Sequence, residues 1–276
     1  FTSKAWNAVQ YKVDPETHRL DYKAIGALAK KCRPSLIVAG YTAYPRTINF
    51  REFRRIADSV GAALMVDMSH IAGLVAGGAH PSPFPYADVV TTTVHKTLRG
   101  PRSAMILSRL AVLGEARSEG AARIPIHEAI DKAVFPGMQG GPHVNQIAAI
   151  ATALHEAMQP EFKKYAMQIV KNARVLAEEL SKKGWRIVSG GTDNHLLLVD
   201  TWARGVSGAE ASDALEKHGI IVNKNTIPYD ERKPMDPSGI RIGTAAVTTQ
   251  GMKEKDMKKI AERIHVILEK VRTLKT

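Results

Sequence analysis

The sequence predicts an α/β fold: a mostly parallel sheet with helices on both faces, followed by a smaller α+β domain. Three observations carry that expectation. Short continuous apolar runs at 36–41, 62–67 and 87–93 alternate with helical spacing at 21–33 and 50–60, the rhythm of parallel strands joined by crossover helices. Past residue 158 the texture changes to turn-separated strands and two long amphipathic stretches. The chain has 276 residues, 44% of them hydrophobic and 24% charged, enough for one large core or two smaller ones.

Taken in order, 21–33 sets Tyr22, Ile25, Leu28 and Ala29 on one helical face, and 36–41 is the first buried strand. The next helix, 50–60, places Phe53, Ile56, Ala57 and Val60 at helical intervals, with Gly61 as its stop. A strand at 62–67 leads into a glycine-rich passage ending at Gly78, and strands follow at 87–93 and 103–107. After the glycines at 137–141, a helix at 143–158 has a mostly apolar wall. The helix at 161–183 carries Phe162, Tyr165, Ala166, Ile169, Ala173, Leu176 and Leu180 in one stripe, and Gly184 ends it. Strands at 186–189 and 195–200 form a hairpin through 190–194. Ser207 with Glu210 makes a capping box for a helix to His218. Strands at 220–223 and 239–246 and a closing helix at 253–274 complete the second domain. The domains are therefore 1–157 and 158–276.

Charge and composition narrow the functional classes. The formal net charge is +12, but residues 1–157 carry 18 Lys and Arg against 12 Asp and Glu, and the remainder 21 against 15. The excess is evenly spread, with no arginine-rich run, so a solvated basic surface is favoured over a nucleic-acid face. No apolar run is long enough to cross a bilayer, and no signal or transit peptide is evident. Cys32 is the only cysteine and cannot form an intrachain disulfide, which fits a reducing, cytoplasmic compartment. The sequence opens at Phe1 without an initiator Met, as a piece of a longer protein would.

The chemistry centres on His95-Lys96, where the strand at 87–93 gives way to a basic turn. A lysine at the mouth of a buried strand needs a partner or a task, and Schiff-base formation is one such task. Asp67 and His70 stand just past the end of the preceding strand, the edge where ligands bind in open α/β sheets. Lysine for a covalent link, aspartate for a pyridinium nitrogen and imidazole for ring stacking together suit pyridoxal phosphate. A metal site from His70, His80 and His95 is not expected, because their spacing matches no ligand pattern.

Five motifs in order make the resemblance specific. They are Thr91-Thr92-Thr93-Val94-His95-Lys96-Thr97-Leu98-Arg99-Gly100-Pro101-Arg102, Val66-Asp67-Met68-Ser69-His70-Ile71-Ala72-Gly73, Phe135-Pro136-Gly137-Met138-Gln139-Gly140-Gly141-Pro142, Gly190-Gly191-Thr192-Asp193-Asn194-His195 and Gly239-Ile240-Arg241-Ile242-Gly243-Thr244. Together they resemble serine hydroxymethyltransferases, fold-type I pyridoxal phosphate enzymes, from end to end of the chain. The resemblance implies a PLP-binding large domain lacking its N-terminal part, and transfer of a one-carbon unit between serine and tetrahydrofolate, giving glycine and 5,10-methylenetetrahydrofolate. It implies that Lys96 holds the cofactor, Asp67 pairs with its ring nitrogen and His70 stacks on the ring. Thr42 and Thr93 would sit near the ring edge, and His95 beside the phosphate and lysine. Arg241 would bind the substrate carboxylate through parallel donors to both oxygens, with Arg102 near the active centre. Asn225 would contact folate. Gly140 and Gly141 would offer backbone N–H groups to the phosphate in a neighbouring subunit, which implies a homodimer.

The chain departs from the family pattern at Thr42, Val94 and Ala245, where serine, threonine and proline are usual. The family's N-terminal segment supplies a phosphate cup, a catalytic glutamate and active-site tyrosines, so this chain alone is expected to be weakly active or inactive. Two other readings remain open: a threonine aldolase-like PLP lyase, which would cleave its substrate without folate, and a non-catalytic binding remnant.

Overall fold

The structure is a computed structural model that describes residues 2–110 and 124–274. In chain order the helices are α1 (Thr2–Ala5), α2 (Tyr22–Cys32), α3 (Phe50–Asp58), α4 (Ala72–Ala76), α5 (Ile126–Lys132), α6 (Val144–Ala157), α7 (Pro160–Lys182), α8 (Gly208–Glu216), α9 (Ala245–Thr249) and α10 (Glu254–Thr273). The strands are β1 (Leu36–Ala39), β2 (Ala63–Asp67), β3 (Val89–Thr93), β4 (Ala104–Ser108), β5 (Arg186–Ile187), β6 (Leu196–Asp200), β7 (Asn223–Asn225) and β8 (Gly239–Gly243).

Local chemistry sets most boundaries. Asp21 caps α2 by accepting from the backbone N–H of Lys23 and Ala24, at 2.9 and 3.1 Å, and Asn49 caps α3 through Glu52 N–H. The Ser207–Glu210 capping box at α8 has both of its bonds. Pro160 opens α7 at the first turn, where a missing N–H costs nothing.

The first sheet runs β1-β2-β3-β4, with β1, β2 and β3 parallel and β4 antiparallel to β3. Ile37, Ala39, Leu64, Val66 and Val90 form its buried face, packed with Phe50, Phe53 and Ile56 of α3. The opposite face carries exposed Leu36, Val38 and Ile106. Beneath the sheet, Asp88 accepts from Arg54 Nη1 and Leu64 N–H, both at 2.8 Å.

The second sheet, β5-β6-β8-β7, is wholly antiparallel. Its core joins Leu197, Val199, Ile240 and Ile242 to α8 and α10. Helix α7 serves both cores: Phe162, Ala166 and Ile169 lie in the first, Leu176 and Leu180 in the second. No helix among the described residues is long and apolar enough to cross a membrane.

Three local expectations need correction. The glycine-rich passage before Gly78 contains the short helix α4, whose Gly73 N–H is held by Thr97 Oγ1 at 2.9 Å. The strand expected at 220–223 lies at Asn223–Asn225, because the α8 exit turn continues to Ile220, whose N–H bonds Leu215 O. The strand expected at 239–246 stops at Gly243 and turns into α9, with Thr248 N–H bonding Thr244 O. β5 and β6 pair antiparallel as the hairpin reading expects, and residues of the connection bond the loop between β1 and α3. The wall of α6 is also less covered than its pattern suggests: Ala153 is buried, whereas Val144 is 70% and Ile147 53% exposed.

Candidate active site

The site lies where the carboxyl ends of β2 and β3 meet the second sheet. Asp67 ends β2 opposite Thr91 of β3, and its Oδ1 accepts from Ser69 N–H at 2.9 Å. The turn that carries His70 is tied to β3: Met68 N–H bonds Thr91 O, and Thr93 N–H bonds Ser69 Oγ, each at 2.9 Å. Three residues past β3, Lys96 Nζ donates to Thr93 Oγ1 at 3.0 Å.

Two glycines permit this closeness. Gly40 follows β1 with φ +117°, and a Cβ there would fall 1.9 Å from Asp67 O. A Cβ on Gly73 would fall 2.2 Å from Thr97 O, so α4 approaches the lysine turn only because that position is bare.

The second sheet closes the other side. Arg241, central in β8, is half-buried and reaches from the second sheet to the loop after β1: Nη1 donates to Thr42 O at 3.1 Å and Nη2 to Asn223 Oδ1 at 3.0 Å. Burial lowers its pKa from the usual arginine value. Asn223 faces it across the β7–β8 ladder. A cavity of about 420 Å³ results, lined by His70, Lys96, Tyr165, His195, Asn223 and Arg241 among others. That is the size of a small-molecule site.

Two imidazoles form one wall. His70 and His195 stack with ring centroids 5.7 Å apart and planes at 29°. Burial, then the charges of Arg241 and Lys96, lowers the pKa of His70 to about 4. Burial, then His70 and Arg241, lowers that of His195 to about 3. Both rings are neutral at pH 7.

Of the residues expected from sequence, His70, Lys96 and Arg241 share the cavity, with Thr93 on the lysine and Asp67 at the neighbouring strand end. Thr42 joins through its backbone carbonyl. His95 is half-buried, with Nδ1 unpartnered among the described residues. Arg102 is exposed in the turn before β4. Asn225 lies on β7 and donates to Thr226 O at 2.6 Å; Asn223, one pleat away, lines the cavity instead. Gly140 and Gly141 are exposed outside it, with no heavy atom within 4 Å of a Cβ built on either.

Asn223, Tyr165 and His195 were not singled out from sequence. Asn223 was findable, since it shares a strand face with Asn225 by the two-residue period. Tyr165 reads as part of the apolar stripe of α7. His195 stands in a motif with no indication of what its ring meets.

An α/β sheet with a lysine, an acid and a stacked imidazole at its carboxyl edge, facing an arginine from a second sheet, defines the class of fold-type I pyridoxal phosphate transferases. Within that class, the chain belongs to the serine hydroxymethyltransferase family, whose model matches residues 1–264. It is 55% identical over 269 residues, 98% of this chain, to a serine hydroxymethyltransferase of Acidobacterium capsulatum. It is 55% identical over 260 residues, 94% of this chain, to one of Koribacter versatilis. The chain spans 60% and 58% of the lengths of these two relatives.

Proposed function

We propose that this chain carries the cofactor-anchoring and carboxylate-binding part of an enzyme that interconverts serine and glycine, with tetrahydrofolate as the one-carbon acceptor. The observation that carries the reading is the common cavity of Lys96 and Arg241. An amine able to anchor an aldehyde and a guanidinium able to grip a carboxylate are what a PLP enzyme acting on an amino acid needs.

The residues present fit the cofactor. Thr91 Oγ1 and His95 Nδ1 are buried and unpartnered among the described residues, beside an acid and a lysine at adjacent strand ends. Bound there, pyridoxal phosphate supplies an electron sink for cleavage of a bond at the substrate α-carbon. Asp67 holds the ring nitrogen in its protonated form, and neutral His70 stacks on the ring without adding charge. Thr93 Oγ1 orients the lysine amine. Arg241 binds the substrate carboxylate, with Asn223 and Thr42 O fixing the plane of its fork. Asn225 contacts folate, Arg102 approaches the active centre, and Gly140 and Gly141 serve the partner subunit of a homodimer. Domains at 1–157 and 158–276 and a cytoplasmic location belong to the same reading; the confinement of the antiparallel sheet to the second part supports that division.

Covalent capture tests the proposal. Pyridoxal phosphate added to the chain and fixed with borohydride is expected to label Lys96 on peptide mapping, and Lys96→Ala removes the label. Labelling spread evenly over surface lysines, unchanged by Lys96→Ala, would refute the site. In the complete enzyme, serine cleavage is expected to depend on tetrahydrofolate; cleavage at equal rate without it points to a lyase.

A further inference from the structure

His195 is the buried titratable side chain at the cavity that the proposed chemistry leaves without a task. It is 7% exposed, its Nδ1 has no partner among the described residues, and its ring lies against His70. A buried ring nitrogen without a partner is unfavourable, and an apolar side chain would fill the space more cheaply. The backbone holds the ring there firmly. Thr244 N–H and Oγ1 both donate to His195 O, at 3.0 and 3.3 Å. The residues before it are tied to the loop between β1 and α3: Asp193 N–H to Pro45 O at 2.8 Å, Asn194 Nδ2 to Tyr44 O at 2.9 Å, and Thr192 Oγ1 to Pro45 O at 3.1 Å. His195 itself is the one residue between this anchoring and β6, so its backbone is held on both sides.

We propose that His195 is a positioning residue: its imidazole, delivered from the second sheet, backs His70 and fixes the plane of that ring at the cavity wall. This deepens the reading above, since it rests on His70 as the ring that meets the cofactor. His70 has no side-chain hydrogen bond among those described, and its ring nitrogens are not tied to a carboxylate that would set its orientation; only its backbone carbonyl is held, by Thr97 Oγ1 at 3.2 Å. Stacking on a flat neighbour is therefore what sets its plane. The charged and titratable groups facing the pair are Arg241, Lys96 and Asp67 around His70, and Arg241 and His80 around His195. Cations dominate that set, so two neutral rings can stack while a protonated one is repelled.

The test uses the whole chain, with histidine-ring NMR of wild type, His195→Ala and His195→Phe, and circular dichroism as the check on folding. In His195→Ala the His70 titration midpoint is expected to rise from about 4 toward the ordinary 6.5, with altered ring linewidths, because solvent replaces the stacked ring. His195→Phe restores a flat apolar neighbour, so the His70 signals stay close to wild type. Covalent capture of pyridoxal phosphate on Lys96 is expected to slow about tenfold in His195→Ala and to recover in His195→Phe. Unchanged His70 signals in a folded His195→Ala overturn the proposal. If that variant does not fold, His195→Phe decides: wild-type His70 signals support it, and a displaced His70 overturns it. Absence of capture in wild type defeats the cofactor reading, while the NMR comparison still decides the role of His195.

Discussion

Replacing Arg46 with Met tests whether the contact between the two sheets is held by one guanidinium. Arg46 lies in the loop between β1 and α3 and reaches the connection between β5 and β6. Its Nη1 donates to Asp193 Oδ1 at 3.0 Å, Nη2 to Ser189 O at 2.6 Å, and Nε to Ser189 Oγ at 3.2 Å. Asp193 Oδ2 accepts from Thr47 N–H at 3.1 Å, which makes the acid a bridge between side chain and backbone. The side chains are 12% and 31% exposed, so the pair is mostly shielded from water.

Removing one member of a buried ion pair costs about 3–5 kcal/mol, and exposure of the acid lowers that figure through screening. Methionine keeps the stem packing while deleting all three donors, so the expected loss is about 3 kcal/mol. At about 2–4 °C per kcal/mol for chains of this order, the melting temperature falls by roughly 6–12 °C. Urea unfolding of Arg46→Met, Asp193→Asn and the double variant, followed by far-UV circular dichroism and by fluorescence, measures the loss and the coupling. Trp185 is buried in the second core and reports on that half. The coupling between the two positions is expected at about 1–2 kcal/mol. A single-variant loss below about 0.5 kcal/mol, or additive effects, would refute the idea that this pair clamps the sheets.

Two further outcomes follow from the same geometry. Gly73→Ala sets a Cβ 2.2 Å from Thr97 O, and backbone cannot yield cheaply there; a loss of more than about 3 kcal/mol is expected by urea melts, together with slower cofactor capture by Lys96. Stability should also fall as pH drops from 6.5 toward 4. His70 and His195 have folded pKa values near 4 and 3, below the ordinary 6.5, so the unfolded chain binds protons first across that window. The stabilisation is complete above pH 6.5 and is lost on acidification; thermal melts that are flat between pH 7 and 5 would contradict two buried neutral imidazoles.

Much of the site was legible because its chemistry sits on local signals. An apolar run ending in His95-Lys96 locates a strand mouth, and Asp67 with His70 marks the next one, since both strands are parallel and their carboxyl ends share an edge. The boundaries of α2, α3 and α8 follow from Asp21, Asn49 and Ser207 as caps. What could not be read is which residues from distant elements meet. The three-residue shift in the start of β7, from 220 to Asn223, is a case in point. Ile220 and Val222 resemble a strand by composition, yet the helix exit turn still uses the backbone at Ile220, so pairing begins at Asn223. That shift puts Asn223, rather than an apolar residue, across from Arg241.

The same geometry leaves the side chain at position 42 out of the arginine's hydrogen bonds. Arg241 Nη1 takes the backbone carbonyl of Thr42, not its hydroxyl. Nη2 is held by Asn223, so both outer nitrogens are oriented by partners that a change at position 42 leaves in place. The arginine fork is thereby set by one backbone atom of the loop after β1 and one side chain of the second sheet. Its aim depends on how the sheets sit together more than on any single neighbour. Loosening the Arg46–Asp193 clamp should therefore shift Arg241, and with it the proposed carboxylate grip, as well as displace His195, though neither residue of the clamp is among those lining the cavity.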